Sequence, residues 1–260
     1  APRAARGADD ALLSASRPAV RRRAWVFAGI AVAVAALFVR LGLWQLDRLA
    51  WRREVNARVT ARLAGAPVDA WALPRDTAAL RYRRATATGT FDWAREVVLT
   101  ARTRNGSPGV WLVTPLRAHG RDTLLLVVRG WVYSPDGETV DRTRWREGDT
   151  TVALDGFVLP LADSAGAATT LRGRDDRAWR QLDVATATRV VGAPVLPVLL
   201  VQRGDSAPRG DAVPPRLVPP RLDEANHQSY AIQWFSFATM ALVSATLFVR
   251  AERRRAADGA

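Results

Sequence analysis

The sequence contains no cysteine, and all 38 of its basic residues are arginine. Without cysteine there is no disulfide framework, thiolate zinc or iron–sulfur site, and no cysteine nucleophile. Without lysine, Schiff-base catalysis and a Walker-type phosphate loop are excluded as well. The 2 histidines, His119 and His227, lie more than a hundred residues apart, which rules out a histidine-rich metal site. Serine-hydrolase, dinucleotide-binding, zinc-protease and EF-hand patterns are also missing. The carboxylate pairs Asp175-Asp176 and Asp223-Glu224 fall in polar, loop-like sequence and read as solvated surface rather than as an acid–base site. Nothing in the residues assembles an enzyme.

The formal net charge of +13 would suggest a nucleic-acid partner if it formed one patch. It does not. Arg17 and Arg21–Arg23 stand immediately before one long apolar run, and Arg250 with Arg253–Arg255 immediately after another. Arginine clusters flanking apolar runs mark the cytoplasmic side of membrane spans, where they face anionic lipid. No nucleic-acid partner is expected.

Ala24 to Val39 is uninterrupted apolar sequence, and Leu41-Gly42-Leu43-Trp44 continues it past Arg40, long enough to cross a bilayer if Arg40 snorkels. Small residues at Val34-Ala35-Ala36 offer a signal-peptide alternative, but the apolar run continues beyond them without a clean cleavage context. The second run, Ala231 to Val249, carries no charge and would be about 28 Å long as a helix. These features predict a membrane protein organised as a cytoplasmic basic arm (1–23), a first transmembrane helix (24–46), an extracytoplasmic domain (47–228), a second transmembrane helix (229–249) and a cytoplasmic basic tail (250–260). Two antiparallel spans should pack together, with Gly29, Ala33 and Ala36 facing Ser229, Gln233, Ser236, Met240 and Ser244.

Within the external segment, Trp51, Val55, Val59 and Leu63 recur every fourth residue and Gly65 can end the pattern, so the first span is expected to continue as an amphipathic helix. Short β-type runs follow at 82–91, 96–102, 110–116, 123–133, 151–159 and 195–202, separated by Gly, Pro, Asp and Asn. They predict a mainly-β domain, an antiparallel barrel or sandwich, with a minor helix over 183–191 ended by Gly192. The Pro-rich stretch 203–222 should run extended as a tether to the second span.

At the outer ends of the spans, Trp44-Gln45 and Arg48 come level with Gln233-Trp234, and the two glutamines need partners at that depth. His227 shares a helix face with Tyr230 and Trp234. A neutral imidazole here has two readings: a ligand to haem iron, with aromatic cover and Arg for the propionates, or a solvated histidine in an aromatic belt. His119, in a turn-like Arg-Ala-His-Gly-Arg context, reads as exposed.

The segment Leu41-Gly42-Leu43-Trp44-Gln45-Leu46-Asp47-Arg48-Leu49-Ala50-Trp51-Arg52 resembles the motif with which members of the Surfeit locus protein 1 family leave their first span. Gly109-Val110-Trp111-Leu112-Val113-Thr114-Pro115-Leu116, Val128-Arg129-Gly130-Trp131-Val132 and Asn226-His227-Gln228-Ser229-Tyr230-Ala231-Ile232-Gln233-Trp234-Phe235 are similar to that family's central and closing motifs, in its order. Departures are Tyr133-Ser134 where a Pro is usual, Gln228 in place of Leu, and the length of the Pro-rich stretch. The resemblance implies an assembly factor of haem–copper cytochrome c oxidase in the respiratory chain, seated in a bacterial inner membrane. It implies handling of haem a, with the oxidase catalytic subunit and haem a synthase as partners beside membrane lipid. The family's proposed haem contact falls on His227, so that Trp44, Gln45, Arg48, Tyr230, Gln233 and Trp234 become its candidate surroundings. The alternative is a haem-free scaffold or accessory subunit, for which Trp111 and Trp131 are the candidate contacts.

Overall fold

Residues 22–258 are described by a computed structural model, apart from 75, 147, 149–150, 162–176, 205–212 and 221. The basic arm before Arg22, the Asp175-Asp176 pair and the middle of the Pro-rich stretch lie outside the described residues. The chain divides into a unit built from its two ends, meeting at Val55 and Asp223, and a second unit, Asn56–Leu222.

The first unit is a pair of helices. Helix α1 (Arg22–Ala64) continues past the apolar run without a break, as its periodicity predicts, and the Gly65 amide donates back to the Ala61 carbonyl at 3.0 Å. Its partner α3 (His227–Asp258) contains the second apolar run. Both are long and apolar enough to cross a membrane. Within this unit the buried residues of α1 are Ala24, Ala31, Ala35, Gly42, Gln45 and Leu49, with Ala28 and Phe38 half-buried between them. Steps of three and four alternate along this line, the spacing of a left-handed helix pair. Facing it on α3 are Ala231, Ala238 and Ala245, each seven residues from the next.

This seam differs from the expected one. Gly29, Ala33 and Ala36, like Ser229, Gln233, Ser236, Met240 and Ser244, are all exposed. In a largely apolar run, small size marks several rows at once, and the expected rows share the three-and-four spacing of the observed seam, so spacing alone does not select the face. The hydroxyls of Ser236, Thr239 and Thr246 instead donate to carbonyls one turn back on their own helix. Gly42 leaves room for the Phe235 ring, which a Cβ there would meet at 2.7 Å.

The second unit holds one sheet of eight strands: β1 (Val68–Asp69), β2 (Arg84–Phe91), β3 (Val97–Leu99), β4 (Gly109–Arg117), β5 (Leu124–Tyr133), β6 (Val152–Pro160), β7 (Ala178–Trp179) and β8 (Val195–Gln202). Their order is β1-β2-β6-β8-β5-β4-β3-β7, and β2 also pairs with β4 at Thr90↔Arg117 and Phe91↔Leu116, so the pairings return to β2. The expectation of an antiparallel sheet is corrected: β5 runs parallel to β8, β1 to β2 and β3 to β7. A parallel neighbour requires a crossover, and helix α2 (Val184–Val191) supplies it just before β8. Asp183 caps α2 by accepting from the Thr186 amide, and Gly192 ends it at φ 71°, as the sequence predicts. The Pro-rich stretch is not a free tether where it is described. Trp131 N–H donates to the Pro215 carbonyl at 2.9 Å, and Leu217 packs on the core formed by β4, β5 and β8.

The β4–β5 ladder is irregular between Leu112↔Gly130 and Val113↔Val128, which leaves Arg129 as the extra residue of a bulge. A bulge re-aims one side chain, and here an arginine that is wholly buried results. Its guanidinium donates to Glu96 Oε2 at 2.7 Å, to Thr114 Oγ1 at 2.8 Å and to the Trp145 carbonyl, and lies 4.6 Å from the Trp93 ring centroid. Glu96 is 1% exposed and also accepts from Thr114 at 2.5 Å. Removing one member of a buried pair strands the other's charge. Arg129→Met is therefore expected to cost about 3–5 kcal/mol. In urea unfolding followed by Trp fluorescence, the double variant Glu96→Leu/Arg129→Met should recover part of that loss.

Candidate functional site

The helix seam is apolar except at one end, where Gln45 is 9% exposed and His227 opens α3. Burial of a primary amide demands a partner, and the alanine seam brings one: His227 Nδ1 lies 2.8 Å from Gln45 Oε1. In the neutral ring, Nδ1–H donates to that oxygen. The hydrogen bond fixes the tautomer, so the lone pair of the imidazole sits on Nε2. Ala225 at φ 52° and a turn through Asn226, whose carbonyl accepts from Tyr230 N–H at 3.0 Å, set His227 at the start of the helix.

The other predicted site residues divide. Trp234 stands two turns along the same face as His227, half-buried, and stacks on Phe38 with centroids 5.5 Å apart. Trp44 and Tyr230 are 46% and 48% exposed, on the outer surface of the pair. Arg48 is exposed and lies over the Trp51 ring at 4.7 Å. Gln233 faces outward and is not the partner of Gln45. The structure thus joins His227 and Gln45, keeps Trp234 on their line, and leaves the remaining four as an exposed polar and aromatic rim. His119 is exposed in its turn beside Gly120 at φ 71°.

Four charged residues are given no role by the sequence, which reads Asp223 and Glu224 as solvated surface and pairs neither with Arg52 or Arg53. Arg53 grips Glu224 through two hydrogen bonds of 2.8 and 2.9 Å, and Arg52 reaches Asp223 at 3.4 Å and its carbonyl at 3.2 Å. They fasten the chain just before His227 to α1. Their one visible signal is that adjacent arginines on α1 match adjacent acids before α3 in an antiparallel register. The Arg53 guanidinium holds the Glu224 carboxyl below its ordinary value, and Glu224 in turn raises Arg53.

A carboxyl lowered on folding stabilises the fold above its unfolded value, and the contribution disappears as pH falls through the folded value. In wild-type protein in detergent, the thermal midpoint should therefore decline on acidification below the usual glutamate range. Glu224→Gln should flatten this decline, sit slightly below wild type at neutral pH and converge with it in acid. The difference should be small, because both side chains are about half exposed.

Comparison with known proteins places these features in context. The model of the SURF1 family matches residues 32–239. A SURF1-like protein of Monosiga brevicollis is 28% identical over 78% of this chain and 79% of its own length. A SURF1-like protein of Rickettsia bellii is 25% identical over 84% of this chain and 89% of its own. The cytochrome oxidase assembly protein SHY1 of Saccharomyces cerevisiae is 28% identical over 40% of this chain and 27% of its own. The matched residues include β4, β5, Gln45 and His227.

Proposed function

Because the chain belongs to the SURF1 family, we propose that it is an assembly factor for a haem–copper cytochrome c oxidase, anchored in a bacterial membrane by α1 and α3. Its cargo is haem a, held through His227 Nε2 and passed to the oxidase catalytic subunit. Haem a synthase is the partner that would load it. Both termini are cytoplasmic in this reading, and the β-sheet unit is extracytoplasmic.

The single observation that carries the haem reading is the His227–Gln45 hydrogen bond at 2.8 Å. It orients the ring, keeps a proton on Nδ1 and leaves Nε2 as a donor to iron, which is the support that metal-binding histidines receive. The donor set fits the group. Trp44 and Tyr230 expose aromatic surface at about 46–48% on the same helices, and Arg48 offers a cation suited to a propionate. The large exposed side chains of both helices, among them Ile30, Leu37, Ile232 and Leu247, suit a lipid environment.

The test is the pyridine-haemochrome spectrum of detergent-purified protein from cells that make haem a. Wild type is expected to carry haem a, and His227→Ala to lose it while its circular dichroism is unchanged. Full occupancy in the variant would remove His227 from the role. A colourless wild type that copurifies with oxidase subunits would replace the cargo reading with the haem-free scaffold. Gln45→Leu leaves the ligand but removes its support, and haem affinity should fall about 10–100-fold, measured by titration of the apoprotein.

A further inference from the structure

Within the β-sheet unit, a cavity of about 240 Å³ opens beside β4 and β8, lined by Arg81, Arg102, Trp111, Gln181, Leu161 and Leu182 among others. Among the described residues no Asp or Glu lines it. Arg102 is held rigidly: one terminal nitrogen donates to the Arg180 carbonyl at 2.8 Å, and the guanidinium lies 4.7 Å over the Trp111 ring. Its Nε is buried and has no acceptor among the described residues. Burial, and then the neighbouring Arg180, push the group below the ordinary arginine value.

A preorganised arginine stacked on an indole, with a donor unspent and no counter-charge among the described residues, is costly to maintain for packing alone. The cost is repaid by an oxyanion, because the planar fork matches phosphate oxygens and the second cation at Arg81 adds to it. Besides Gln181, the remaining wall is five leucines and Pro160, which favours an anion with an apolar body over bare phosphate. We propose that this cavity is a binding site for a phosphate monoester carrying an apolar substituent, gripped by Arg102 and Arg81. The proposal does not rest on the haem reading, since no residue is shared between the two.

The test uses the full chain in detergent, titrated calorimetrically with orthophosphate and with n-butyl phosphate, for wild type, Arg102→Gln, Arg81→Gln and the surface variant Arg144→Gln, which does not line the cavity. The expected result is saturable binding in wild type and Arg144→Gln, about tenfold tighter for butyl phosphate than for orthophosphate. At least a tenfold loss is expected in Arg102→Gln and Arg81→Gln. Arg81 is exposed at the mouth, so its variant carries the test if Arg102→Gln unfolds. Dihexanoyl phosphatidic acid, a soluble lipid, distinguishes the sources: binding tighter than butyl phosphate supports a lipid headgroup, and weaker binding a free phosphomonoester. Absence of saturable binding in wild type, or equal binding in all four proteins, would overturn the site.

Discussion

Close approach of two helix backbones along a line of alanines is the constraint on which the end-built unit depends. Alanine at every seventh position of α3, opposite alanine and glycine on α1, removes the side-chain bulk that would hold the helices apart. Two backbones that close can share a hydrogen bond between short-reaching polar side chains, and the Gln45–His227 pair does so where the seam ends. The order of cause runs from small residues to close packing to a fixed imidazole. Arg52 and Arg53, gripping Asp223 and Glu224, then fix the chain that delivers His227 into the helix.

In the sheet unit, the two central motifs prove to be one piece of architecture. Trp111 and Trp131 are directly opposed on β4 and β5. Gly109 leaves room for the Trp131 ring, which any Cβ there would strike, and Trp131 Nε1–H donates to the Arg102 carbonyl at 2.7 Å. Gly130 lets the Pro214-Pro215 backbone lie on β5, where a Cβ would come within 2.7 Å of the Pro215 carbonyl oxygen. Both tryptophans are half-buried and engaged in the sheet, which makes them poor candidates for the contact surface of a scaffold. Even the Tyr133-Ser134 departure has a use. Ser134, fully buried, donates to Asp136 at 2.7 Å, and that bond joins those from Thr139 in holding the Asp136 carboxyl far below its usual range.

Much of this was legible in the residues. Uninterrupted apolar length announces the long helices, and the capping Asp183 and Gly192 announce α2 within a residue of its ends. The six longer strands follow from β-branched runs between turn residues. β1 and β7 were missed because two residues carry no periodicity. The parallel β5–β8 pairing was missed because strand patterns do not encode neighbours. The helix seam was misjudged for a related reason: in a largely apolar run hydropathy has little contrast, and several rows share the same three-and-four spacing. His227 stood out through its aromatic company, and Gln45 was read as an amide in need of a partner and as one of several residues around His227, but not as its direct hydrogen-bond partner. Arg129 is hidden altogether, since a charge in a strand reads as an outward residue until the bulge is known.

The position of β8 has a kinetic meaning. Among the described residues it is the last strand, yet it lies between β5 and β6 and supplies both with their central partner. During synthesis, seven strands must wait with two unpaired edges until Gln202 has been made, so the sheet cannot grow by addition to one side. Its contacts are long-range, and folding of this kind is slow and exposes strand edges while it waits. A premature stop between Trp179 and Val195 would therefore leave an open, aggregation-prone sheet rather than a smaller working domain.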